Sequence, residues 1–169
     1  MKKERNRRTS GGASAIALGL AVALAASSGA AASAEELPFK AKVMGNALLL
    51  PTNDPCVMSN EATGSGNATH VGRFAWATQE SVDFCTVPGG VAVSGSFTLT
   101  AADGDQLQGS FTAVGQFDET GTLIIDGDYE IVGGSGRFTG ATGSGDTEVV
   151  ASFLPGLPFA GTLSGTVSY

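Results

Sequence analysis

Three side chains stand where proton chemistry is available to them. His70, the only histidine of the chain, lies in "ATHVGRFAWA"; Glu80 follows shortly after it, and Tyr129 opens "YEIVGG". An imidazole titrates near neutral pH and can serve as acid, base or ligand anchor. A carboxylate set on an apolar face offers similar chemistry, and a buried phenol can polarise a substrate oxygen. If 69–77 is a strand, His70, Gly72, Phe74 and Trp76 share one face, and in 80–86 Glu80, Val82, Phe84 and Thr86 do the same. A turn expected at 77–79 sets Glu80 beside Trp76, near a strand end, which favours a barrel mouth for it over the lumen. The same turn leaves His70 about 20 Å along the strand, so a relay between the two is not expected. The competing reading of His70 is a core or rim histidine held by a backbone carbonyl.

Other signals point to no cofactor and no metal. One histidine and two distant cysteines lack metal-ligand spacing. "DGD" at 103–105 reads as a hairpin turn, while Asp126, Asp128 and Glu130 read as outward acids that hold a cation loosely at most. "GGSGRFTG" is followed by neither a helix nor the lysine of a phosphate loop, and no G-x-S-x-G elbow accompanies His70.

The elements that must position these residues are strands. Apolar residues or glycines alternate with largely polar ones in 91–99 (Val91, Val93, Gly95, Phe97, Leu99) and in 107–117 (Leu107, Gly109, Phe111, Ala113, Gly115, Phe117). The pattern returns in 123–131 and 159–169. Adding 39–45, 69–77, 80–87 and 138–153, the last with a glycine-rich irregularity near 143–145, gives about eight strands joined by short turns. The fold class predicted is all-β: an eight-stranded antiparallel up-and-down β-barrel, with a β-sandwich as the alternative. Inward glycines at 95, 109, 115, 127, 161 and 165 let strands coil and leave room for inward aromatics. Phe74, Trp76, Phe84, Phe97 and Phe111 are the expected ligand-binding surface of the lumen.

The first 34 residues read as a secretory signal peptide: a basic start (Lys2, Lys3, Arg5, Arg7, Arg8), an apolar run over 15–26 and an A-x-A cleavage signal at 32–34. Residues 35–169 form one domain in this reading, with no membrane span. Removing the leader from the 9 basic and 16 acidic residues of the chain leaves Lys40, Lys42, Arg73 and Arg137 against fifteen acids, a net charge of −11. Such a surface excludes nucleic acid as a partner. Export to an oxidising compartment, secreted, periplasmic or at the cell envelope, predicts that Cys56 and Cys85 pair, stabilising the fold by roughly 3–4 kcal/mol.

"YEIVGGSGRFTGATG" resembles the strand, glycine-rich turn and strand segment shared by allene oxide cyclases and dirigent proteins. With "GSFTLTAADGDQLQGSFTAVG" and "GTLSGTVSY" it is similar to an exported bacterial group of such barrels over about residues 64–169. The resemblance implies an eight-stranded barrel with a hydrophobic lumen, and a homo-oligomer by analogy with the plant members. Gly133, Gly134, Ser135, Gly136 and Phe138 carry it as a folding device, and no catalytic residue of those families maps onto this chain. Three functions follow as expectations: a binding module for a small hydrophobic or amphipathic molecule; a cofactor-free cyclase or isomerase using His70, Glu80 or Tyr129; and a structural protein whose lumen is filled by its own side chains.

Overall fold

The computed structural model describes residues 35–169; the predicted signal peptide lies outside the described residues. Eight antiparallel strands close in sequence order: β1 (Leu37–Pro51), β2 (Val57–Ala68), β3 (Gly72–Asp83), β4 (Gly90–Ala101), β5 (Gln106–Phe117), β6 (Leu123–Gly134), β7 (Thr142–Ala151) and β8 (Pro158–Ser168). The fold is the predicted up-and-down β-barrel. No helix among the described residues is long and apolar enough to cross a membrane.

Three elements differ from expectation. The turn foreseen at 77–79 does not exist, and β3 runs unbroken through it, pairing with β2 from Asn67↔Arg73 to Val57↔Asp83. β2 itself was not foreseen. Its inward positions are Asn60, Ala62, Gly64 and Gly66, too small and polar to register as an apolar face. The irregularity expected at 143–145 is likewise regular strand, because Gly143 and Gly145 lie in uninterrupted ladder with β8. The one register shift falls opposite, between Gln108 and Gly109 of β5, where Gly133 and Gly134 end β6.

The inward glycines have a specific partner. Seven of them lie directly across the ladder from a lumen aromatic: Phe39↔Gly165 and Phe159↔Gly45, Phe74↔Gly66 and Trp76↔Gly64, Phe97↔Gly109 and Phe111↔Gly95, and Tyr129↔Gly145; Gly115, Gly127 and Gly161 instead face Val91, Ala113 and Val43. A ring needs the volume that a neighbouring Cβ would take, and glycine yields it. A Cβ at Gly66 would stand 2.5 Å from Cζ of Phe74, and one at Gly109 would enter the ring of Phe97.

The barrel has a packed base and a roomier mouth. At the base Phe39, Leu99, Leu107, Ile131, Phe138 and Val167 are each at most 2% exposed. Phe138 comes from a single 3-10 turn, Gly136–Phe138, that follows β6 and folds across the barrel end. Gly136, at φ 61, makes that turn and abuts the Asp105 carboxylate, so the "GGSGRF" segment is indeed a folding device. Arg137 ties three base turns together. It pairs with Asp103 and with Asp105 (3.7 Å), donates to the Val71 carbonyl (3.3 Å) and lies 4.6 Å over the Phe138 ring.

At the mouth Cys56 and Cys85 form a disulfide with Cα atoms 5.4 Å apart, joining the β1–β2 and β3–β4 loops. That bond is consistent with an extracellular or periplasmic location. Asp118 organises the β5–β6 turn by accepting from the backbone N–H groups of Thr120 (2.8 Å) and Thr122 (2.9 Å). The β7–β8 loop leans on β1, where Asn46 donates to the Gly156 carbonyl (2.9 Å).

Candidate functional site

Because the base is filled, any site must sit in the mouth half. There the strands enclose a cavity leaving about 90 Å³ for the centre of a water-sized sphere, adjoined by a second of about 70 Å³ toward the loops. One water needs only about 10–15 Å³ on this measure, so the space takes several waters or part of a small organic molecule. Its floor is aromatic. Trp76 stacks on Phe97 at 5.2 Å, and Phe97 meets Tyr129 edge-on at 6.2 Å. Small side chains, Ala47, Ala62, Ala113 and Ala151, leave the walls thin.

The polar groups of the cavity fall on two opposed walls. On one, β2 and β3 bring together Asn60, Thr78 and Glu80. Asn60 Nδ2 donates to Glu80 Oε2 at 2.7 Å, and the Thr78 hydroxyl donates to Oε1 at 2.6 Å. Thr78 Oγ1 in turn accepts from the Ala62 N–H at 3.3 Å, which leaves its hydrogen for Glu80. On the other wall is Tyr129 of β6, four strands from β2 and three from β3 around eight, and therefore across the lumen. Tyr129 is 3% exposed and Asn60 8%, yet the Tyr129 hydroxyl and Asn60 Oδ1 have no hydrogen-bond partner in the protein. Burial, reinforced by the charge of Asp146 on β7, pushes the Tyr129 phenol up to about 12, so it is neutral at ordinary pH.

The candidates named from sequence divide accordingly. Glu80 is in the lumen rather than at an exposed mouth, because β3 continues past 77–79 and carries it inward in phase with Trp76 and Thr78. Trp76, Phe97, Phe111 and Tyr129 line the same cavity. Phe84 lines the outer one, where the chain leaves β3. Phe74 is in the lumen but below the cavity, packed 6.4 Å from Trp76 in the filled core.

His70 is a correction. It does not share the face of Phe74 and Trp76: β2 ends at Ala68, and His70 sits exposed in the β2–β3 turn at the base with φ 65. Its Nε2 lies 3.1 Å from the Pro38 carbonyl. Sequence reasoning missed Asn60 and Thr78, along with Thr147 and Phe159 of the far wall. The alternation of Asn60, Ala62, Gly64 and Gly66 against Ser59, Glu61, Thr63 and Ser65 was the available signal, the same glycine-every-second-residue pattern that marked other strands.

The outward acids hold no metal geometry: among the described residues no group of three His, Cys, Asp or Glu is placed to bind an ion. Comparison with protein-family models, with curated proteins and with solved structures found no match to this chain.

Proposed function

We propose that the protein is an exported barrel that binds a small hydrophobic or amphipathic molecule in the mouth half of its lumen. The observation that carries this reading is one aromatic-floored cavity lined by the polar side chains of Asn60, Glu80 and Tyr129, two of which hold a buried atom without a partner, Asn60 Oδ1 and the Tyr129 hydroxyl. Buried polar groups are normally satisfied, and each left alone costs roughly 1–3 kcal/mol. A core built only for stability would carry Phe and Leu there. A cavity with a few convergent polar groups in an apolar lining is the usual form of a ligand site. Export rests on the disulfide and on the leader-like first 34 residues. Kinship with the allene oxide cyclase and dirigent barrels rests on the "GGSGRF" turn and the barrel topology, and it belongs to this proposal.

Trp76, the only tryptophan, forms part of the cavity floor and serves as the reporter. Titration with apolar ligands is expected to change its fluorescence saturably. Ala47→Leu, which fills space bordering both cavities, is expected to abolish that change without unfolding the barrel. An unchanged response in Ala47→Leu would refute lumen binding.

A catalytic reading draws on the same cavity, since Glu80 and Tyr129 both line it and a flexible substrate held there would be conformationally restricted. As a cofactor-free cyclase or isomerase, the protein would lose turnover in Glu80→Gln and retain it in His70→Ala.

A further inference from the structure

The two polar walls differ in what they offer a ligand. Glu80 is acceptor-only when ionised, and both of its protein partners donate to it. Asn60 donates one of its two amide hydrogens to Glu80, while its Oδ1, another acceptor, is buried without a partner. The β2–β3 wall is therefore dominated by a carboxylate that only accepts when ionised, with one further N–H of the Asn60 amide beside it. No lysine, arginine or histidine lines either cavity. Lys40, Lys42 and Arg73 are exposed on the outside, Arg137 is at the base, and His70 is in a turn.

The aromatic floor adds to this asymmetry. Trp76, Phe97 and Phe111 stand in the cavity that Glu80 borders, and the negative ring faces attract a cation there. A carboxylate ligand would meet the Glu80 carboxylate with no compensating cation, whereas an ammonium would meet a counter-ion and aromatic side chains.

We propose that the ligand is a primary amine on a compact apolar body, its ammonium held by Glu80 and its body on the Trp76–Phe97 floor. This rests on the reading that the lumen binds ligand, and it adds the chemical class.

The test is a matched series, hexylamine, hexanol and hexanoate, titrated at neutral pH into the disulfide-intact protein and followed by Trp76 fluorescence and calorimetry. Hexylamine is expected to bind about tenfold more tightly than hexanol, the scale of one charge-assisted hydrogen bond, and hexanoate most weakly. Glu80→Gln is expected to reduce the amine-to-alcohol ratio to near unity. Hexanoate binding as tightly as hexylamine would overturn the amine assignment while leaving lumen binding intact, as would an unchanged ratio in Glu80→Gln. Binding by none of the three overturns lumen binding and this assignment together. Should Glu80→Gln fail to fold, the ranking on the unaltered protein decides alone.

Discussion

Tyr129→Phe separates a site built for a ligand from a core built for stability. The substitution removes one oxygen and keeps the ring, so the edge contacts to Phe39 and Phe97, both at 6.2 Å, survive. What changes is the hydroxyl, which is buried without a partner. Leaving such a group unsatisfied costs roughly 1–3 kcal/mol. At the low end of that range, Tyr129→Phe should stabilise the ligand-free protein by about 1 kcal/mol, or roughly 3–6 °C in Tm. Urea unfolding should show a higher midpoint at unchanged slope, since the surface exposed is the same. The phenol also sets an alkaline limb. It ionises near 10 when unfolded and at about 12 in the barrel, because burial and then Asp146 oppose the anion. Between those values the unfolded state holds fewer protons, so stability falls as pH rises, by roughly 2–3 kcal/mol at pH 12. Tyr129→Phe should lack this component. In Tyr169→Phe, which leaves Tyr129 as the only tyrosine, tyrosinate absorbance should rise near pH 12. A Tyr129→Phe protein less stable than its parent by 1 kcal/mol or more would refute the account, for it would mean that the hydroxyl is satisfied.

Replacing Cys56 and Cys85 by alanine releases a crosslink between residues 29 apart and should lower stability by roughly 3–4 kcal/mol in urea titrations; a loss below 1 kcal/mol would place the stability elsewhere. Gly109→Ala drives a Cβ into the Phe97 ring and to 2.5 Å from the Glu130 carbonyl oxygen. It should cost roughly 1–3 kcal/mol and alter Trp76 emission, because Phe97 stacks on that indole. Carboxyl groups govern the acid limb. Hydrogen bonds from Thr86 and the Cys85 N–H hold Asp83 below its usual 3.8, those from Thr120 and Thr122 do so for Asp118, and the Asp105 N–H, with Arg137, does so for Asp103. Their stabilisation is present above pH 3.8 and is lost as pH falls through the lowered values. An Asp83→Asn, Asp118→Asn double variant should therefore show a shallower acid limb in circular dichroism, and an identical limb would count against these turns.

The barrel was legible because most of its strands obey one rule. In β4, β5, β6 and β8 every second residue is apolar or glycine, and those faces are the lumen faces. The reading failed where the inward residue was neither. Asn60 and Thr78 are polar residues buried in a lumen, and hydrophobic periodicity treats them as outward. The count of eight agrees with the structure only because the turn expected at 77–79 makes two strands of β3 while β2 goes unread. That one error displaced both acid–base candidates: it moved Glu80 to a rim and gave His70 a place in a strand. The cluster around Glu80 was then invisible, since half of it lies on the missing strand.

The same exception explains why the site is where it is. Aromatic rings over glycines fill the barrel progressively toward the base, where Phe138 and the Arg137 clasp close it without contribution from the mouth. The base therefore supplies a core that does not depend on the upper lumen. Above the Trp76–Phe97 layer alanine, threonine, asparagine and glutamate line the space beside a second apolar cluster of Val82, Val91, Val93 and Leu123. A chain selected for stability alone would continue the ring-and-glycine pattern to the mouth. Here Asn60 and Glu80 interrupt that pattern on the β2–β3 wall, while Phe111 over Gly95 and Phe159 over Gly45 continue it around the same cavity, and the disulfide joins the mouth loops above. Polar residues at core positions with small residues around them are departures from close packing that share one cavity, and they are the departures the proposed ligand site requires.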